Sequence, residues 1–169
     1  MLAEVSIGRD ALTRRWAELA EDANAPDYYE LNEYGELIMS PRPTNDHQRV
    51  VQAVANAIAQ QLGPEAVAEV SVMTDRGIRV PDVVWMPSAK WQQVKGKTPL
   101  PFAPDLCVEV LSAGNTKEEI AMKAGAYLRG GAREVVIVGL QGQIEYLGPE
   151  GARSASVFGL SLQLERTLF

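Results

Sequence analysis

Between Arg133 and Leu140 the chain reads Arg-Glu-Val-Val-Ile-Val-Gly-Leu, a strand pattern with no continuous polar face. A strand apolar on both sides needs a covering layer above and below, which points to a sheet wrapped by helices. Two amphipathic segments can supply that cover. Thr44, Asn45 or Asp46 caps the first, in which Val50, Val51, Val54, Ala57, Ile58 and Leu62 form one stripe before Gly63-Pro64 ends it. Thr116 caps the second, which runs to about Arg129 and stops at Gly130-Gly131. An earlier helix is expected over about Asp10 to Ala23, with Leu12, Trp16, Leu19 and Ala20 at helical spacing.

Further strands are expected at Tyr28–Asn32, Gly35–Ser40, Ala66–Met73, Gly77–Met86 and Asp105–Ser112, with edge-type strands at Gln143–Leu147 and Ser156–Leu164. The stretch from Pro87 to Pro104 is polar and irregular and reads as a mobile or substrate-facing segment. The expected fold class is α/β, a central mixed β-sheet flanked by α-helices. With no repeat or convincing linker, residues 1–169 read as one domain, with 1–26 as an N-terminal helical extension.

Bulk properties exclude more than they assert. No apolar run approaches the roughly 20 residues that cross a bilayer, and residues 1–10 lack a secretory apolar core. The lone cysteine, Cys107, excludes an internal disulfide, and its inner-strand position suits an inert buried thiol. A cytoplasmic protein with no membrane partner is expected. The net charge of −6 argues against a chain that wraps nucleic acid with a broad basic surface. It does not exclude a nuclease, because carboxylates that hold a cation count as negative until the cation arrives.

The acids are the informative residues. Asp82 lies inside Gly-Ile-Arg-Val-Pro-Asp-Val-Val-Trp-Met, and Glu109 inside Asp-Leu-Cys-Val-Glu-Val-Leu-Ser. A carboxylate in such a run is costly unless it is hydrogen-bonded, paired or bound to a metal. Glu36 stands on a third expected strand. Two acids and a backbone carbonyl converging where strands splay would suit Mg²⁺ or Mn²⁺, which take a few carboxylates plus water and phosphate oxygens. The plainer alternative leaves each acid on the solvent side of a half-buried strand.

Pro81-Asp82, followed by a strand carrying Glu109, resembles the PD-(D/E)xK nuclease signature. A longer string strengthens the resemblance: Val108-Glu109-Val110-Leu111-Ser112, Asn115-Thr116-Lys117-Glu118-Glu119, Lys123, Tyr127, Gly131-Ala132 and Glu134-Val135. Earlier come Gly35-Glu36-Leu37, Ser40-Pro41-Arg42-Pro43 and His47. Together these resemble the large bacterial family of restriction-endonuclease-like proteins formerly classed as a domain of unknown function, over about Tyr28 to Phe169. The resemblance implies a restriction-endonuclease-like core and a Mg²⁺- or Mn²⁺-dependent endonuclease acting on DNA, duplex by expectation, with a homodimer plausible by analogy. It also implies metal ligation by Asp82, Glu109 and Glu36.

The motif's lysine, two residues after the glutamate, is replaced here by Leu111. In the resembling family a lysine on the following helix takes over, which maps onto Lys123, with Lys117 in reserve. The bland alternative for Lys123 is a surface pair with Glu119. His47, the sole histidine, is expected at the first turn of its helix in a supporting role, as a neutral ring, or else as a polar surface residue. Arg42, Arg49, Lys90, Lys95 and Lys97 are candidate phosphate contacts, and Trp91 a stacking group. A solvated loop with one buried Trp anchor explains the same residues. The rival function is a nuclease-fold binding or assembly module that has lost catalysis, which the acidic balance and the missing strand lysine favour. A hydrolase built on His47 lacks a nucleophile at a recognisable spacing.

Overall fold

The computed structural model describes residues 5–169. The first four residues of the expected N-terminal extension lie outside the described part. The chain forms two sheets. The larger has six strands: β3 (Ala66–Ala68), β6 (Val83–Trp85), β7 (Leu106–Val110), β8 (Glu134–Val138), β9 (Ile144–Gly148) and β10 (Gly151–Arg153), in the order β10-β9-β8-β7-β6-β3. β7 and β8 run parallel and the other neighbours antiparallel, so the expected mixed sheet is present. The smaller sheet contains β1 (Tyr29–Leu31), β2 (Leu37–Met39), β4 (Val72–Thr74) and β5 (Gly77–Arg79), in the order β2-β1-β5-β4.

Helices cover the larger sheet on both faces, as the apolar β8 demands. Helix α2 (Asn45–Leu62) places Val50, Val51, Val54 and Ile58 against Val83, Leu106, Val108, Val136 and Val138. Helix α4 (Lys117–Arg129) packs Ile120, Ala124 and Tyr127 against Val84, Cys107, Val135 and Ile137 on the opposite face. Both helices start as expected. The Thr44 hydroxyl accepts the His47 N–H, and the Thr116 hydroxyl accepts the Glu119 N–H. Helix α1 (Arg9–Glu21) lays Leu12 and Leu19 on Leu31, Met73 and Ile78 of the smaller sheet.

Two expected strands are each divided between the sheets. Ala66–Met73 splits into β3 and β4 around Glu69, whose φ of 56° is incompatible with a strand. Gly77–Met86 splits into β5 and β6 around Pro81, which has no N–H to give a ladder. One hairpin therefore belongs to both sheets. Two other expectations are corrected. Pro87–Pro104 contains α3 (Ser88–Gln93) and sends Val94, Leu100 and Ala103 into the core, so it is an anchored segment. Ser156–Leu164 is no strand: β10 takes the edge beside β9, and Leu160 and Leu162 instead seal the α2 face. Cys107 is a buried free thiol, as expected. No described helix is long and apolar enough to cross a membrane.

Candidate active site

The bend at Pro81 stations Asp82 immediately before β6. Its N–H donates to the Val108 carbonyl at 2.9 Å, and its Oδ2 accepts the Val110 N–H at 2.7 Å. The chain before Asp82 has already left for the smaller sheet, so the carboxylate supplies the acceptor that a continuing strand would have offered. This fixes Asp82 against the end of β7, one residue beyond Glu109.

Glu109 is buried among charges. Its Oε1 lies 2.9 Å from the Lys123 ammonium and accepts the Tyr127 hydroxyl at 2.7 Å. The same ammonium lies 3.2 Å from Oε2 of Glu30 on β1. Burial pushes the Glu109 carboxyl up to about 7; Lys123 pulls it back, while the charges of Asp82 and Glu30 add to the rise. Burial alone would push Lys123 down, but Glu109 and Glu30 together carry it above its ordinary value, so the ammonium stays charged.

His47, on the first turn of α2, reaches the same end of β7. Its Nε2 is 2.9 Å from the Val110 carbonyl and 3.7 Å from Asp82 Oδ2, while Nδ1 is 3.1 Å from Gln48 Oε1. A ring N–H at Nε2 donates to the Val110 carbonyl, while Nδ1 meets the Gln48 amide, which can present either oxygen or N–H. The Asp82 carboxylate leads the push of its pKa up to about 9, against some loss from burial. The expected neutral ring is therefore disfavoured at neutral pH: the nearby carboxylate outweighs the helix terminus.

The structure thus gathers Asp82, Glu109, Lys123 and His47, and leaves the other expected residues elsewhere. Glu36 is exposed in the β1–β2 turn, where Oε2 accepts the Asn32 side-chain N–H at 2.6 Å. Glu30, six residues earlier, is the acid that β1 delivers. Sequence reasoning missed it, although an acid between Tyr29 and Leu31 carries the signal that marked Asp82 and Glu109. Lys117 is exposed and does not compete with the buried Lys123. Lys123 pairs with Glu30 and Glu109, not with Glu119, whose Oε2 lies 3.4 Å from Asn115 Nδ2.

Lys90 lies 2.6 Å from Asp105, just before β7, whereas Glu109 lies near its far end, roughly 13 Å along at strand rise. Lys95 and Lys97 follow on the loop leaving α3, so these three lysines belong to the opposite end of the sheet. Trp91 is a half-buried anchor whose Nε1–H donates to the Glu65 carbonyl at 3.2 Å. Arg42 and Arg49 flank the start of α2 with exposed side chains, 3.5 Å from Asp27 and 3.7 Å from Asp46 respectively.

Among the described residues no three Asp, Glu, His or Cys side chains form a ready ligand group. Asp82 and Glu109, however, each keep one oxygen, Oδ1 and Oε2, that accepts no hydrogen bond from a described residue. The Asp82 side chain is 22% exposed and that of Glu109 6%, so the pair opens to solvent on the Asp82 side. Two hard oxygens beside solvent suit Mg²⁺ or Mn²⁺, which keep several waters.

The fold has known counterparts. A family model described as Uma2, putative restriction endonuclease, matches residues 15–167. A crystal structure described as that of a putative nuclease belonging to DUF820, from Anabaena variabilis, superposes with a TM-score of 0.61 at 18% identity, covering 88% of this chain and 94% of that one. No curated protein sequence gives a significant match.

Proposed function

The chain belongs to the Uma2 family, described as putative restriction endonuclease, and from that premise we propose that it is a metal-dependent endonuclease hydrolysing DNA phosphodiester bonds. The observation that carries the reading is the meeting, at one end of β7, of the Asp82 carboxylate on the Val110 N–H and the Lys123 ammonium on Glu109. Asp82 and Glu109 would hold Mg²⁺ or Mn²⁺ through their free oxygens. When bound, the cation would supply polarisation of a phosphoryl oxygen and a more acidic water.

The chain's own residues do the rest. Lys123, held charged, is no general base; it offsets negative charge at the phosphate and donates a hydrogen bond to the attacking water. Tyr127 fixes the Glu109 carboxylate by its hydroxyl. His47 ties α2 to the Val110 carbonyl and so holds the end of β7 in place. Arg42 and Arg49, beside that helix start, are the basic side chains placed to meet a DNA backbone. Duplex DNA is the substrate class, and cutting both strands would use two copies of the chain. Residues 1–169 act as one domain in this reading.

The test is cleavage of supercoiled plasmid and linear duplex by purified protein with Mg²⁺ or Mn²⁺. Wild type is expected to nick or cut, and Asp82→Asn, which keeps an acceptor for the Val110 N–H, to lose that activity while remaining folded. Intact DNA under varied substrates, with no Mn²⁺ uptake by calorimetry, would instead favour the binding or assembly module.

A further inference from the structure

Arg79 has no part in the chemistry above, yet its side chain is only 4% exposed. On β5 its Nε–H donates to the Arg76 carbonyl at 2.8 Å, and its Nη1 lies 3.7 Å from Glu30 Oε1. Glu30 therefore meets two cations and one backbone N–H. Oε2 accepts the Val80 N–H at 2.6 Å and faces Lys123 at 3.2 Å, while Oε1 faces Arg79. Glu30 thus sits between two cations, Arg79 and Lys123, whereas Glu109 pairs with the Lys123 ammonium alone among the described residues.

We propose that Arg79 is a positioning residue that acts through Glu30, and that Glu30 is the second anchor of the Lys123 ammonium, not a metal ligand. The four side chains form an alternating row: Arg79, Glu30, Lys123, Glu109. A cation on Glu109 would compete with Lys123 for that carboxylate. Glu30 then keeps the ammonium in place, and Arg79 keeps Glu30 from turning toward the incoming positive charge. Arg79 and Val80 come from the smaller sheet and Glu109 from the larger, so the device also explains why the site spans both.

The kinetic half of this inference rests on the nuclease reading; the anchoring half does not. Arg79→Met and Glu30→Gln are each expected to lower kcat about tenfold, with KM and the Mn²⁺ affinity by calorimetry within about twofold of wild type. The double variant should cut no more slowly than Glu30→Gln alone, because the first residue works through the second. Arg79→Lys should restore most of the rate. Independently of cleavage, acetylation of Lys123 by acetic anhydride, followed by mass spectrometry, should run several-fold faster in both single variants.

A roughly tenfold or greater loss of Mn²⁺ affinity in Glu30→Gln would show that Glu30 acts on the cation and overturn the proposal. Multiplicative losses in the double variant, or unchanged Lys123 acetylation, would overturn it as well. If Arg79→Met does not fold, Arg79→Lys and Glu30→Gln carry the same comparison. Should wild type neither bind Mn²⁺ nor cleave, the nuclease reading fails, and the acetylation rates alone decide the anchor.

Discussion

Glu109 and Glu134 are both buried glutamates on neighbouring parallel strands, and they lead opposite lives. Glu134 is wholly buried at the start of β8, where Oε1 accepts the Val157 N–H at 2.8 Å and the Arg153 Nη1–H at 3.3 Å, and Oε2 accepts the Ser156 hydroxyl at 2.6 Å. Every donor comes from the segment that follows β9, so this carboxylate is a clasp. Glu109 directs both its partners to one oxygen and leaves the other without a hydrogen bond from a described residue. Burial of a carboxylate thus does not mark a site. A buried carboxylate left half-satisfied beside a second acid does.

The contrast is sharpest in paired substitutions. Glu109→Gln should lower the cleavage rate about a thousandfold or more, since it removes a charge aimed at the cation, with little change in melting temperature. Glu134→Ala should do the reverse. Stranding Arg153, Ser156 and the Val157 N–H is expected to cost about 3 kcal/mol in denaturant titrations, with the rate kept where the protein remains folded. If Glu134→Ala abolished cleavage at low denaturant, the two glutamates would not be separable in this way.

A smaller effect lies in pH. A carboxyl pushed up to about 7 must shed its proton to bind a cation, so Mn²⁺ affinity should fall below pH 7 by up to about tenfold per unit. Calorimetry across pH 5.5 to 8 reads this directly, and Glu134→Gln should leave the slope unchanged. The smallest expected effect belongs to His47. Its folded pKa of about 9 exceeds the ordinary 6.5. Its stabilising contribution is therefore complete below 6.5 and disappears as pH rises through 9. Without added metal, wild type should lose more melting temperature than His47→Ala between pH 6 and pH 10.

Much of the fold was legible because its signals are local. Thr44 and Thr116 cap where hydroxyl chemistry demands, and the apolar Glu134–Val138 run forced helices onto both faces. The division of one hairpin between two sheets was not legible from apolar content, which resumes on both sides of Glu69 and of Pro81-Asp82. Pro81 was the visible clue. The Ser156–Leu164 alternation looked like a strand, but pairing depends on which segment reaches the edge of β9, a tertiary outcome that periodicity cannot decide. In the site, Asp82 and Glu109 announced themselves by their apolar neighbours, and the resemblance pointed to Lys123. Glu30 carried the same mark and was passed over for Glu36, because nothing in the chain says which end of a hairpin will face a distant helix. Lys90, Lys95 and Lys97 misled for the same reason: a basic loop has no address until the sheet assigns it an end.

Four consecutive residues, Arg79 to Asp82, touch separate parts of this arrangement: a guanidinium on Glu30, an N–H on the same carboxylate, a proline at the bend and an acid on Val110. Their spacing is a ruler with no slack. Lengthening or shortening it by one residue would misalign every mark at once, whereas the turn after β9 or the loop leaving α3 could change length without being felt at the cleft. Drift in chain length among descendants of this sequence should therefore spare that tetrapeptide.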